Sequence, residues 1–129
     1  LQPAPRPEVP TRLTTEVLGA GEWVLRKWNP GESAASAPPI TLSFREGRFV
    51  GHAGCNRYFT GVKAGALPGE IAVSPAGATR MACPLEIMNA ESRFLASIGR
   101  VTRFGFHAGL LVLSSGEAGP SGPMFFSRR

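Results

Sequence analysis

The sequence predicts an α+β domain built on one strongly curved or barrel-like antiparallel sheet of seven to eight short strands with one packed helix. Three observations lead there. Short segments alternate apolar and polar residues, Ile40-Thr41-Leu42-Ser43-Phe44 most cleanly, as a half-buried strand does. Gly 16 and Pro 12 punctuate the chain often enough to favour many turns over long helices. Helical periodicity occurs once, after Pro84, so the strands follow one another directly and pair antiparallel.

Residues 1–15 carry Pro3, Pro5, Pro7 and Pro10 with little apolar periodicity and read as a Pro-rich tether ahead of a domain spanning 16–129. Glu22 to Trp28 reads as a strand with Trp23 and Leu25 on one face and Val24 and Trp28 on the other. Pro30 to Pro39 is a loop by composition, and Ile40 to Phe44 is the next strand. Glu46-Gly47 turns a hairpin into a returning strand from Arg48 to Cys55, where Gly51 and Gly54 mark a bulge or a close backbone approach. Leu67 to Val73 offers a further short strand. From Leu85 to Ile98 the period becomes helical, with Ile87, Met88, Phe94, Leu95 and Ile98 in one stripe and Glu86, Ala90, Arg93 and Ser97 opposite. Pro84 suits the helix start and Gly99 its end. Val101 to Phe106 and Leu110 to Leu113 form a hairpin through His107-Ala108-Gly109, the second strand apolar enough to be covered on both faces. Met124 to Phe126 closes the series.

Composition limits the function. Hydrophobic residues at 43% and charged residues at 18% are globular values. The net charge of +5 is spread from Arg6 to Arg129 without a stripe able to track a phosphate backbone, so nucleic acid is not the expected partner. All 9 acids are Glu, which removes Asp from any triad, phosphoryl-transfer site or calcium loop. No metal site and no cofactor are expected.

Cys55 and Cys83 are the only cysteines. Two are too few for zinc, which leaves a disulfide of an oxidised compartment or two buried thiols. The disulfide is the working reading, and in the chain-entropy model it would stabilise the fold by about 3.5 kcal/mol. A Cys–His hydrolase would need His52 or His107 as base. His52 falls on the strand face opposite Cys55 and His107 in a turn, so no catalytic residue is assigned. Glu91 lies inside the apolar stripe of the helix. A buried carboxylate there requires donors, for which Arg57, Arg80 or backbone N–H groups of nearby loops are the candidates.

Gly51 to Arg57 (GHAGCNR), the following RYFTG, then ATRMACP and ESRFLASIGRVTRF occur in an order and spacing that resemble the META domain family, which includes the heat-shock protein HslJ. The resemblance runs from Trp23 to Phe125. It implies an exported protein, periplasmic or a membrane-anchored lipoprotein, that serves as an envelope binding or stress-support module with no catalytic activity. Its signature surface for an envelope partner would be Asn56, Arg57, Tyr58, Thr79 and Arg80. Gly61 falls one residue later than the family's Gly-x-Tyr, and Val62 stands where an aromatic is frequent, so a different loop is expected there. Fold-level likeness to secretin pilot lipoproteins adds an alternative, an acyl-chain or lipid-binding barrel acting as an assembly chaperone. A periplasmic enzyme inhibitor is a second alternative, for which the positive charge opposes a cationic target. A monomer is expected, touching the membrane only through an N-terminal lipid anchor outside this chain.

Overall fold

The alternating segments become strands of a single sheet in the computed structural model, which describes residues 12–34, 38–115 and 123–129. In chain order the elements are α1 (Thr15–Leu18), β1 (Trp23–Asn29), β2 (Glu32–Ser33), β3 (Thr41–Arg45), β4 (Arg48–His52), β5 (Arg57–Ala64), β6 (Ile71–Val73), β7 (Gly77–Ala78), α2 (Leu85–Ile98), β8 (Arg103–His107), β9 (Leu110–Ser114) and β10 (Met124–Arg128). Every pairing is antiparallel, in the spatial order β6-β5-β4-β3-β1-β10-β9-β8, with β2 added to β1 and β7 to β5. The two ends of this path meet. Glu70 bridges Arg103, the Ile71 N–H donates to the Thr102 carbonyl at 2.9 Å, and the Phe104 N–H donates to the Gly69 carbonyl at 2.9 Å. The sheet is therefore a nearly closed eight-strand barrel, and closure covers edges that an open sheet would leave unpaired.

Two hairpins are set by their turns. Glu46 (φ 51) with Gly47 (φ 77), and Ala108 (φ 52) with Gly109 (φ 82), take the paired left-handed conformations of two-residue turns whose twist matches the strands. Inside the barrel, Trp23, Leu25, Leu42, Phe49, Tyr58, Leu111, Leu113 and Phe126 are buried, and α2 adds Phe94 and Ile98 to the same core.

Several expectations change for identifiable reasons. Trp28 faces the core together with Trp23 and Leu25, because a bulge between Leu25 and Lys27 shifts the register of β1 by one residue. β4 ends at His52, so Cys55 lies in a turn rather than on the strand. β5 was not legible as a strand, because Thr60 points inward at 1% exposure while Phe59 points outward at 52%. Gly61 and Val62 sit within β5, where a variant loop was expected. β9 alternates instead of being covered twice: Leu111 and Leu113 are fully buried, and Leu110 and Val112 are half-buried. Ser97 of α2 is buried, because the inward stripe runs through Glu91, Phe94, Ser97 and Ile98, while Ile87, Met88 and Leu95 flank it half-buried. Arg93 is only partly solvated. It forks onto the Glu32 carboxylate at 2.6 and 2.8 Å and lies 4.4 Å over the Trp28 ring, tying α2 to β1 and β2.

The short α1 is too brief to show periodicity. The Thr14 hydroxyl caps it by accepting from the Val17 N–H at 3.2 Å, and Leu13 is already buried in the core. Most of the Pro-rich tether assigned to residues 1–15 lies outside the described residues.

Candidate functional site

The features singled out in the sequence converge beneath the first turns of α2. Gly54, at φ 115, lets the chain turn out of β4 and presents its backbone to the helix, since a Cβ there would sit 3.5 Å from Ile87 and 3.9 Å from the Glu91 Cβ. Cys55 follows and is bridged to Cys83, with the two Cα atoms 6.0 Å apart. The bridge joins the turn after β4 to the segment entering α2, closing a loop with a sequence separation of 28.

Glu91 is 5% exposed and its carboxylate is met entirely by nitrogen donors of this turn. Oε1 accepts from the Cys55 N–H at 3.1 Å and from the Asn56 N–H at 2.6 Å, and Oε2 accepts from Asn56 Nδ2 at 2.7 Å. Asn56 Oδ1 in turn accepts from the Met81 N–H at 2.6 Å and the Thr79 hydroxyl at 3.1 Å. Thr79 Oγ1 accepts from the Arg57 N–H at 3.1 Å, and the Thr79 N–H donates to the Arg57 carbonyl at 3.0 Å. One carboxylate and one amide thus fasten α2, the 53–57 turn and the 79–83 segment together. Of the expected donors, the backbone N–H groups serve Glu91, and the Arg57 and Arg80 side chains do not. Both side chains are exposed and form no ion pair among the described residues. Three N–H donors satisfy the anion without burying a guanidinium, whose own desolvation would be costly.

Tyr58 leaves the proposed surface altogether. Its ring lies edge-on to Phe94 with centroids 5.1 Å apart, its hydroxyl donates to the Thr41 carbonyl at 2.7 Å, and burial pushes its phenol well above the ordinary 10.0. Of the five signature residues, only Arg57, Thr79 and Arg80 are exposed.

Beside the hub runs a groove of about 570 Å³ between β7 and α2. Phe59, Ala78, Met81, Met88 and Leu95 form apolar walls, and Arg80 stands at its margin. Phe59 and Met81 are 52% and 56% exposed. The Phe59 ring lies against Gly77, where a Cβ would come within 2.6 Å of it. Sequence patterning missed this wall, because Phe59 reads as a core residue until the register of β5 is known. Met88 and Leu95 belong to the expected stripe, and only the placement of α2 turns them toward the groove. Among the described residues no group of His, Cys, Asp or Glu side chains could hold a metal ion.

A family model for the META domain matches residues 16–122. This chain belongs to the META domain family. An NMR structure of a protein from Burkholderia xenovorans aligns with a TM-score of 0.69 at 27% identity, over 100% of this chain and 94% of that one. A second NMR structure aligns with a TM-score of 0.64 at 24% identity, over 89% of this chain and 94% of the other, and shows the shared fold. No curated protein matches the chain. In this META domain Glu91 holds the Gly54-Cys55-Asn56 segment, and Asn56 and the disulfide join that segment to Thr79-Arg80-Met81 and Cys83.

Proposed function

We propose that this META domain is a non-catalytic binding module of the bacterial cell envelope, exported as a periplasmic protein or lipoprotein, whose groove between β7 and α2 receives a protein partner. The observation that carries the reading is the Cys55–Cys83 bridge beside that groove. Disulfides persist in oxidising compartments, and this one ties together the segments that set the groove's walls. Glu91, Asn56 and Thr79 spend their hydrogen-bonding capacity on one another and on local backbone, which supports a scaffolding role for them over chemistry on a substrate. Exposed Phe59 and Met81 are the residue types that anchor protein contacts. The acyl-chain reading has less support, because Trp23, Phe49, Phe94 and Phe126 occupy the barrel interior where a chain would lie.

A photo-reactive amino acid at position 81 or 59, introduced in the producing bacterium, tests the groove. Discrete adducts with an envelope protein are expected from Met81 and Phe59 positions and none from Lys63, which is exposed on the same strand as Phe59. Equal labelling from all three positions, or none, refutes the groove reading. Maleimide labelling of the cells, with and without prior reduction, tests the compartment separately: labelling without reductant refutes export into an oxidising space.

A further inference from the structure

A second site stands on the outer face of the barrel and shares no lining residue with the groove. Cross-strand register places His52 of β4 directly opposite Arg57 of β5, and Ser43 of β3 opposite Val50 of β4. Because side chains alternate along a strand, Ser43 and Arg45 share this outer face, as do Val50 and His52. Between them lies a hollow of about 290 Å³, lined by Glu22, Thr41, Ser43, Arg45, His52 and Arg57 among others. The hollow exists because its floor is small. Thr41 and Ser43 are buried, and the close approach of β3 to β4 leaves no room for a Cβ at Gly51, which would meet the Thr41 carbonyl oxygen at 2.4 Å.

Three features of this hollow point to a ligand. His52 Nδ1 is buried and has no hydrogen-bond partner, and a buried polar atom left so is costly. Its backbone N–H is already committed to Thr41 Oγ1 at 3.0 Å, so the ring nitrogen is a separate, open valence. Arg45 and Arg57 are exposed, and neither side chain makes an ion pair or hydrogen bond with another described residue. The one acid at the margin, Glu22, already accepts from Arg129 Nη1 at 3.0 Å, so it does not neutralise them.

We propose that this hollow binds an oxyanion, a phosphate or carboxylate group, with Arg45 and Arg57 contributing guanidinium donors and the His52 ring turning to bring its covered Nδ1–H onto it. Guanidinium groups match the planar edges of such anions, and the turn gives the ring nitrogen the partner it lacks. A free small anion and the headgroup of an anionic lipid present the same chemistry.

Two-dimensional NMR of the intact chain at fixed ionic strength tests this, with inorganic phosphate as one probe. Vesicles of phosphatidylglycerol, against phosphatidylcholine, are the other. Saturable shifts of the Ser43, His52 and Arg57 amides with phosphate are expected, together with a change of the His52 Nδ1 resonance as it becomes a donor. Arg45→Gln and Arg57→Gln should each weaken binding about tenfold, the scale of one charge-assisted hydrogen bond, and Arg100→Gln should not. Both arginines are exposed, so the variants fold, and their amide spectra verify it. A response to phosphatidylglycerol alone that is lost in Arg57→Gln assigns the same site to a lipid headgroup. No saturable response to either probe, or one that Arg100→Gln weakens equally, overturns the proposal. The groove reading is untouched by either result.

Discussion

Replacing Glu91 by Gln changes one atom in a network whose donors and acceptors are otherwise matched. Glu91 offers acceptors only, to two backbone N–H groups through Oε1 and to Asn56 Nδ2 through Oε2. A glutamine amide must turn its NH2 toward one of those sets. The less costly orientation keeps the carbonyl on the two backbone donors and faces NH2 against the NH2 of Asn56. Asn56 has no relief by flipping, since its Oδ1 is held by the Met81 N–H and the Thr79 hydroxyl. The variant therefore weakens two charge-assisted bonds and leaves a donor–donor clash in a buried site. A loss of about 2–4 kcal/mol is expected, reduced from the sum of the bonds because a buried charge is also removed. In urea, with the disulfide intact, this is a midpoint lower by about 1–2 M at unchanged slope. Glu86→Gln, on an exposed position of the same helix, should stay within about 0.5 kcal/mol of the parent. The decisive variant is the double exchange Glu91→Gln with Asn56→Asp. It restores acceptor-to-donor matching at every strong contact, surrendering only the weak 3.4 Å approach of Asn56 Nδ2 to the Met81 carbonyl. It should recover about half or more of the loss, whereas Asn56→Asp alone sets two carboxylates together and destabilises. Equal midpoints for Glu91→Gln and Glu86→Gln, or simple additivity in the double variant, would refute the matching argument.

Reduction of Cys55–Cys83, or Cys83→Ser with Cys55→Ser, frees a loop of 28 positions and should cost about 3.5 kcal/mol, read as a lower urea midpoint. Tyr58 is the only tyrosine, so phenolate absorbance reports it alone, and it should not ionise until the chain unfolds. Its raised phenol contributes stability that is complete below 10.0 and falls as pH climbs toward the folded value, a slope that Tyr58→Phe should abolish. Gly51→Ala drives a methyl into the Thr41 carbonyl and should cost about 2–3 kcal/mol in thermal unfolding. Gly105→Ala, with nothing within 4 Å of the new atom, should be neutral, and equal effects of the two substitutions would contradict the close approach of β3 and β4.

What the chain's own sequence determined is what depends on near neighbours. The alternation at Ile40 to Phe44, the left-handed pairs Glu46-Gly47 and Ala108-Gly109, and the single helical period from Leu85 to Ile98 each need only contacts a few residues away. The strand periods without intervening helices also implied the antiparallel curved sheet. The order of segments around Cys55 and Cys83 carried the family. Tertiary structure alone decided the rest. The bulge that sends Trp28 inward answers to β10, whose Phe125 pairs with Lys27 across nearly the whole chain. Phe59 faces out and Thr60 in because β4 fixes the register of β5, against what their hydrophobicity suggests. Glu91 showed in sequence as a carboxylate needing partners, but its choice of backbone N–H groups over Arg57 and Arg80 was settled 35 and 36 positions away. The reason is physical: a local pattern states which face a side chain prefers, and only the packed chain supplies the donors that a buried group must find.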